Sequence, residues 1–160
     1  MAETGTDLVY AATLLRRGEL VAIPTETVYG LAANALNSDA VMKIYATKKR
    51  PTFNPLIVHL AETNDITKYA QDIPLNTWRL AERFSPGPLT YVLPRKNIIP
   101  DVVTGGGDTV ALRIPAHPMA HELLSLIDFP LAAPSANPSG YISPVSAAQL
   151  AAMIVRIADG

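Results

Sequence analysis

The sequence predicts a single α/β domain, an open sheet with flanking helices and polar groups at its strand ends. Three observations carry that prediction. Short apolar runs alternate with segments of helical periodicity through all 160 residues, and no repeat or low-complexity linker marks a second domain. The composition is that of a chain with a core, 49% hydrophobic and 17% charged with a mean hydropathy of +0.19. That is too apolar for disorder, and the length suits one domain. Finally, several apolar runs stop at polar residues. Leu20–Ile23 is followed by Pro24, Thr25, Glu26 and Thr27, and Leu56–Val58 by His59. Val110–Leu112 is followed by Arg113, and Leu131–Pro134 by Ser135, Ala136 and Asn137. Ligands of open α/β sheets bind beyond the carboxyl ends of strands, so the repetition predicts polar groups converging on one site.

The elements follow in order. Thr6 and Asp7 can cap a helix running to about Arg17, with Leu8, Ala11, Ala12 and Leu15 on one face and Gly18 as its stop. A strand over 20–23 comes next. Asn37, Ser38 and Asp39 open a second helix that turns Val41, Ile44 and Tyr45 inward and ends in Lys48, Lys49 and Arg50 before Pro51. A strand is expected over 56–60, with helical pieces near 63–71 and 74–84. Ser85-Pro86-Gly87-Pro88 reads as a rigid turn feeding a strand over 89–93. Gly105-Gly106-Gly107 breaks the chain before a strand over 109–114. Pro118 starts a helix to about Ile127. A strand over 131–133, a loop rich in Pro, Ser, Asn and Gly over 134–144, and a helix from Ser146 complete the pattern. The alternation leaves the number of antiparallel pairs open.

Several function classes are excluded or weakened. A net charge of −1 supplies no global field toward nucleic acid or membrane, although a local basic patch remains compatible with it. The absence of cysteine rules out disulfides and thiolate metal sites and suits a reducing, cytoplasmic setting. Charges interrupt every apolar run well before bilayer length, and no signal-peptide pattern opens the chain. There is no G-x-x-x-x-G-K-[ST] phosphate loop and no G-x-S-x-G elbow. The triple glycine lacks the strand-to-helix context of a dinucleotide fingerprint. His117 and His121 have i, i+4 spacing but no companion ligand, which points to a surface or helix-start role and to no metal site.

The remaining polar residues each admit two readings. Lys48, Lys49 and Arg50 complement the negative end of a helix dipole, or bind phosphate as a point charge and a planar fork. Ser135 and Asn137 satisfy local turn backbone, or face the same way from an extended segment and grip one ligand. His59 at the end of an apolar strand is a hydrogen-bonded core histidine or a site residue. Arg113 stands where burial is costly unless an anion pairs it, and Glu26, a ligand carboxylate or a phosphate would serve. Thr25, Thr27 and Tyr29 offer hydroxyls, yet Thr and Tyr are also ordinary strand formers.

Five motifs together resemble the YrdC-like family: Pro24-Thr25-Glu26-Thr27-Val28-Tyr29-Gly30-Leu31; Lys48-x-Arg50-Pro51 with Asn54-Pro55-Leu56-Ile57-Val58-His59; Ser85-Pro86-Gly87-Pro88-Leu89-Thr90; Thr109-Val110-Ala111-Leu112-Arg113-Ile114-Pro115; and Ala133-Pro134-Ser135-Ala136-Asn137-x-Ser139-Gly140. The resemblance implies a twisted, open, mixed α/β sheet with flanking helices and a concave ligand cavity, and a threonylcarbamoyl-AMP synthase of tRNA threonylcarbamoyladenosine formation, joining L-threonine, bicarbonate and ATP and releasing pyrophosphate. It implies that Lys48, Arg50, Ser135 and Asn137 are nucleotide-phosphate ligands, with Lys48 and Arg50 catalytic. It places Thr25, His59 and Arg113 in the threonine pocket, Arg113 on the substrate carboxylate. Mg²⁺, tRNA and downstream threonylcarbamoyl-transferase proteins are the implied companions, with no membrane. Family members continue past the equivalent of Gly160 through a Gly-rich segment and a Glu-Ser-Thr strand. The expectation is therefore a single YrdC-like domain over 1–160, incomplete at its C-terminus.

The chemistry so implied is coherent. Threonine's amine becomes a carbamate whose oxygen attacks the α-phosphate, so positioning and charge stabilisation suffice and no protein nucleophile is required. Two rivals stand beside it. One is a carbamoyl-phosphate-handling module like that of hydrogenase maturation proteins, whose acylphosphatase-like and zinc-finger companions this cysteine-free sequence lacks. The other is a non-catalytic RNA-binding domain, which the charge of −1 and the 6% aromatic content disfavour.

Overall fold

The computed structural model describes residues 8–24, 29–49, 51, 54–134 and, as backbone, 154–156. Helix α1 (Leu8–Arg16) buries Ala12 and Leu15 and leads into an antiparallel hairpin of β1 (Val21–Pro24) and β2 (Tyr29–Asn34). Helix α2 (Ser38–Lys48) starts where expected, with Asn37 Oδ1 accepting the Ala40 N–H at 3.1 Å. It buries Ala40, Val41, Ile44 and Tyr45, and ends as Lys49 takes a left-handed φ of 51° and returns its N–H to the Ala46 carbonyl. Then follow β3 (Ile57–His59), a 3₁₀ turn at Thr63–Asp65, α3 (Ile66–Tyr69) and α4 (Leu75–Phe84). After them come β4 (Thr90–Pro94), α5 (Asp101–Thr104), β5 (Thr109–Arg113), α6 (Pro118–Ser125), β6 (Leu131–Ala133) and β7 (Ile154–Arg156). Gly105 and Gly106 take φ values of 63° and 82°, the left-handed region that ends α5 and frees the chain to start β5.

The strands form one mixed sheet in the order β1-β2-β6-β3-β5-β4-β7. β3 pairs with β5, and β4 with β7, in parallel; the other four neighbouring pairs are antiparallel. Residues paired across strands share a face. Ala33, Ala132, Val58, Leu112 and Tyr91 face a large cluster with Val41, Ile44 and Tyr45 of α2, Ala81 of α4 and Val103 of α5. Ile23, Ala32, Leu131 and Ala133 form a second cluster with Ala12 and Leu15 of α1 and Leu123 and Leu124 of α6. Helices therefore back one face, while α1 and α6 cover the β1-β2-β6 half of the other. On the remaining half Ile57, Ala111 and Val92 are half-buried and belong to neither cluster.

Three expectations need correction. No strand is expected over 29–34, because Gly, Ala and Asn there are poor strand formers. β2 lies inside the sheet between β1 and β6, and its small residues suit that place: a Cβ on Gly30 would stand 3.2 Å from Ala133 Cβ. Residues 154–156, read as part of a helix from Ser146, pair in parallel with β4, as β-branched Ile154 and Val155 favour. Strand carboxyl ends also do not all gather on one edge. In this mixed sheet β3 and β5 end together at His59 and Arg113, whereas β6 runs the other way, its last residue Ala133 opposite Ile57. Four-residue α5 carried no signal in the sequence.

On α4, Thr77 is fully buried and its hydroxyl has no hydrogen-bond partner. An unpaired buried hydroxyl is unfavourable, and valine has nearly the same shape. Thr77→Val should therefore raise the unfolding free energy by about 1 kcal/mol, read as a higher urea midpoint at unchanged slope.

Candidate active site

A row of residues crosses the half of this face that α1 and α6 do not reach. Leu131 of β6 pairs with His59, His59 with Arg113, and Arg113 with Thr90 of β4, so these side chains stand side by side on one face. His59, Arg113 and Thr90 are only 3%, 6% and 3% exposed. A second row, Ala133, Ile57, Ala111 and Val92, continues the same face with small and aliphatic groups.

Arg113 is anchored from the turn after α4. Its Nε donates to the Gly87 carbonyl at 3.0 Å, while the Gly87 N–H donates to the Ile114 carbonyl at 2.7 Å. Only glycine fits there, because a Cβ on residue 87 would lie 2.5 Å from the Phe84 carbonyl oxygen. Ser85 Oγ and the Tyr91 hydroxyl, 2.5 Å apart, tie the same turn to β4. The Leu60 N–H donates to the Arg113 carbonyl at 2.8 Å, holding the end of β3 beside the end of β5. Arg113 cannot shed its proton, so a fixed positive charge is built into the sheet floor.

His59 responds to that charge. Burial first, and the Arg113 cation second, push its pKa from the usual 6.5 down to about 4. The imidazole is therefore neutral at physiological pH. Nδ1 lies 3.4 Å from the Leu131 carbonyl, a long contact that favours the tautomer with the proton on Nδ1. Nε2 is then an acceptor.

The described part of the predicted phosphate corner, Lys48, lies toward the opposite ends of these strands, on the helix that backs the other face. Lys48 closes α2, and the Tyr45 hydroxyl lies 2.9 Å from the Asn54 carbonyl and 2.7 Å from the Val102 carbonyl. The Leu56 N–H donates to the Val103 carbonyl at 2.9 Å. These bonds fix the end of α2 where β3 and β5 begin. Strands of three and five residues separate it from the His59–Arg113 end, a span of about 7–13 Å at roughly 3.3 Å per residue. Thr25, Arg50, Ser135 and Asn137 lie outside the described residues, as does Glu26, so of the expected site residues only His59 and Arg113 are seen together. Thr90 was not anticipated as a site residue; its register opposite Arg113 depends on pairing that the sequence does not display. His117 caps α6, its Nδ1 accepting the Met119 N–H at 3.2 Å, in keeping with the helix-start reading. Among the described residues no three His, Asp or Glu side chains gather into a metal-ligand cluster.

The fold is thus an α/β domain with a mixed sheet that carries a buried arginine–histidine pair at the coincident ends of β3 and β5. The family model Sua5/YciO/YrdC, described as telomere recombination, matches residues 13–160, and the chain belongs to that family. The threonylcarbamoyl-AMP synthase of Pyrococcus abyssi is 54% identical over 141 residues, 88% of this chain and 42% of that protein. That of Bacillus subtilis is 48% identical over 158 residues, 96% of this chain and 46% of that protein. The chain thus spans less than half the length of these two relatives. A shorter synthase, from Halorhodospira halophila, is 42% identical over 130 residues and is covered to 68% of its length. The crystal structure of P. abyssi Sua5 complexed with L-threonine superposes with a TM-score of 0.84 at 49% identity, covering 99% of this chain and 48% of that one. Full-length HypF in a phosphate- and nucleotide-bound form gives a TM-score of 0.74 at 26% identity, over 84% of this chain and 21% of that one.

The histidine also sets a pH dependence. Unfolded His59 takes up its proton near pH 6.5 and folded His59 only near pH 4, so between these values the unfolded state binds more protons. The stability from a neutral His59 is complete above pH 6.5 and is lost as the pH falls toward 4, by about 3 kcal/mol in all. Urea unfolding of wild type and His59→Gln at pH 7.5 and 4.5 should show a clearly smaller loss in the variant. Equal losses would assign acid sensitivity to the carboxylates instead.

Proposed function

We propose that this chain provides the threonylcarbamoyl-AMP synthase reaction, making L-threonylcarbamoyl-AMP and pyrophosphate from L-threonine, bicarbonate and ATP. The observation that carries the reading is the buried Arg113 beside neutral His59, on a chain that shares 49% identity with a Sua5 structure complexed with L-threonine. The Arg113 fork takes the amino-acid carboxylate, and His59 Nε2 accepts a hydrogen bond from the substrate. The threonine nitrogen adds to the bicarbonate carbon, and loss of water leaves a carbamate. A carbamate oxygen then bonds to the α-phosphorus as the bond to the β-phosphate oxygen breaks and pyrophosphate departs. Lys48 and Arg50, with Ser135 and Asn137, hold the phosphates and offset the charge that develops on them. Mg²⁺ would supply further charge neutralisation when bound to the ATP phosphates, in keeping with its habit of taking few protein ligands.

In this reading the amino-acid end is at His59 and Arg113 and the phosphates are held from the close of α2; the product carries one negative charge on its threonine carboxylate and one on its phosphate. tRNA and a downstream threonylcarbamoyl transferase complete the proposed setting, which is cytoplasmic. Among the described residues no helix is long and apolar enough to cross a membrane.

Pyrophosphate release by the purified protein should require ATP, Mg²⁺, threonine and bicarbonate together. Omitting either threonine or bicarbonate removes the attacking oxygen, so release without one of them would refute the assignment. Turnover with carbamoyl phosphate in their place would favour the hydrogenase-maturation reading, and tight RNA binding without turnover would favour a binding module. Lys48→Ala should lose most activity, since one cation facing a reacting phosphate contributes about 2–4 kcal/mol.

Arg113→Lys supplies a separate test. Lysine keeps the charge but cannot present a bidentate fork. Calorimetry should show threonine binding weakened at least tenfold with ATP binding nearly unchanged. Equal loss of both would place Arg113 on the phosphates.

A further inference from the structure

We infer that Thr90 is a substrate-contacting residue whose hydroxyl donates a hydrogen bond to the amino-acid carboxylate held by Arg113; this rests on the synthase reading above. Thr90 is 3% exposed, yet among the described residues its hydroxyl has no hydrogen-bond partner. It is also not sealed away in the manner of Thr77, the buried hydroxyl wholly cut off from solvent. A nearly buried side chain with an unpartnered hydroxyl that retains an opening is matched to something that arrives. Its place says what arrives. Thr90 pairs with Arg113 in the antiparallel β4–β5 register and shares its face, with His59 on the far side of Arg113 and the half-buried Ile57, Ala111 and Val92 in the next row.

The chemistry follows from the donor inventory. Arginine offers only donors, and Nε of Arg113 donates to the Gly87 carbonyl. A carboxylate bound by the guanidinium has more lone pairs than one planar fork can satisfy. A neighbouring hydroxyl with its proton available supplies the next donor, and such charge-assisted bonds are the stronger kind. Neutral His59, on the other side of Arg113, presents an acceptor and cannot fill that role. The row thus divides the work: His59 accepts from the substrate, Arg113 neutralises its carboxylate, and Thr90 orients that carboxylate.

Thr90→Val removes the hydroxyl with little change of shape, and Thr90→Ser keeps the hydroxyl and removes the methyl. Calorimetric titration with L-threonine should show binding about tenfold weaker in Thr90→Val and within about threefold of wild type in Thr90→Ser. Affinity for ATP and the thermal midpoint should stay near wild type in both. Repeating the titration with L-2-aminobutyrate, which has the carboxylate but no side-chain hydroxyl, should give the same penalty for Thr90→Val. Wild-type affinity in Thr90→Val would overturn the inference, as would equal weakening in both variants. A penalty seen with threonine but absent with aminobutyrate would overturn it too, since it would move the contact to the substrate hydroxyl. The synthase reading can fail separately. Should the wild-type protein release no pyrophosphate yet bind these amino acids, the Thr90→Val penalty still decides the contact.

Discussion

A guanidinium set into the floor of a sheet constrains everything around it. Arg113 remains charged at any ordinary pH, and leaving such a group in a dry site without partners costs several kcal/mol. The fold answers with the Gly87 carbonyl, held 3.0 Å from Nε. That contact requires the chain leaving α4 to turn at once toward the end of β5. The turn in turn tolerates no side chain at residue 87, since a Cβ would strike the Phe84 carbonyl at 2.5 Å. β4 then begins three residues later with Thr90 opposite Arg113. A single buried charge therefore dictates a turn, a glycine and a strand register, and it helps keep the neighbouring histidine neutral.

The described helices cover the two sheet faces unequally. Leu112, Val58 and Tyr91 are sealed beneath α2, α4 and α5, while α1 and α6 protect only the β1-β2-β6 half of the opposite face. Alternation along β3 and β5 does the rest: Val58 and Leu112 point into the core, and His59 and Arg113, one residue on, point the other way. The parallel pairing of these two strands is what makes their carboxyl ends coincide. Antiparallel β6 sends its own end to the far edge, where the close of α2 also lies. His59 and Arg113 therefore lie at one end of these strands, and the close of α2, which backs the opposite face, lies at the other.

Much of this was legible in the sequence and some of it was not, for identifiable reasons. Caps announced themselves through local chemistry: Asn37 for α2 and His117 with Pro118 for α6. The inward faces of α1 and α2 followed from helical period. Arg113 stood out because a charge amid Val-Ala-Leu and Ile-Pro contradicts its surroundings, and His59 because it ends an apolar strand. β2 was invisible, since Tyr-Gly-Leu-Ala-Ala-Asn has little strand propensity and owes its conformation to neighbours on both sides. The division of strand ends between two edges was hidden because pairing direction is a long-range property that local pattern does not encode. Thr90 escaped notice for the same reason: a threonine in a strand is unremarkable until register places it beside an arginine.

The electrostatics also decide what kind of chemistry this floor can perform. With its pKa pushed down to about 4, His59 is a poor proton acceptor near neutrality, three orders of magnitude weaker than a base poised at pH 7. It is nevertheless a competent hydrogen-bond acceptor, and burial makes it a rigid one. Arg113 is equally unable to exchange protons. A site whose two buried groups neither gain nor lose a proton at working pH cannot rely on acid–base cycling by them. Its contribution must come from fixed charge and fixed geometry, which suits a reaction in which one substrate atom attacks another once both are held in place. The burial that made Arg113 conspicuous in the sequence is also what strengthens every electrostatic interaction its charge makes.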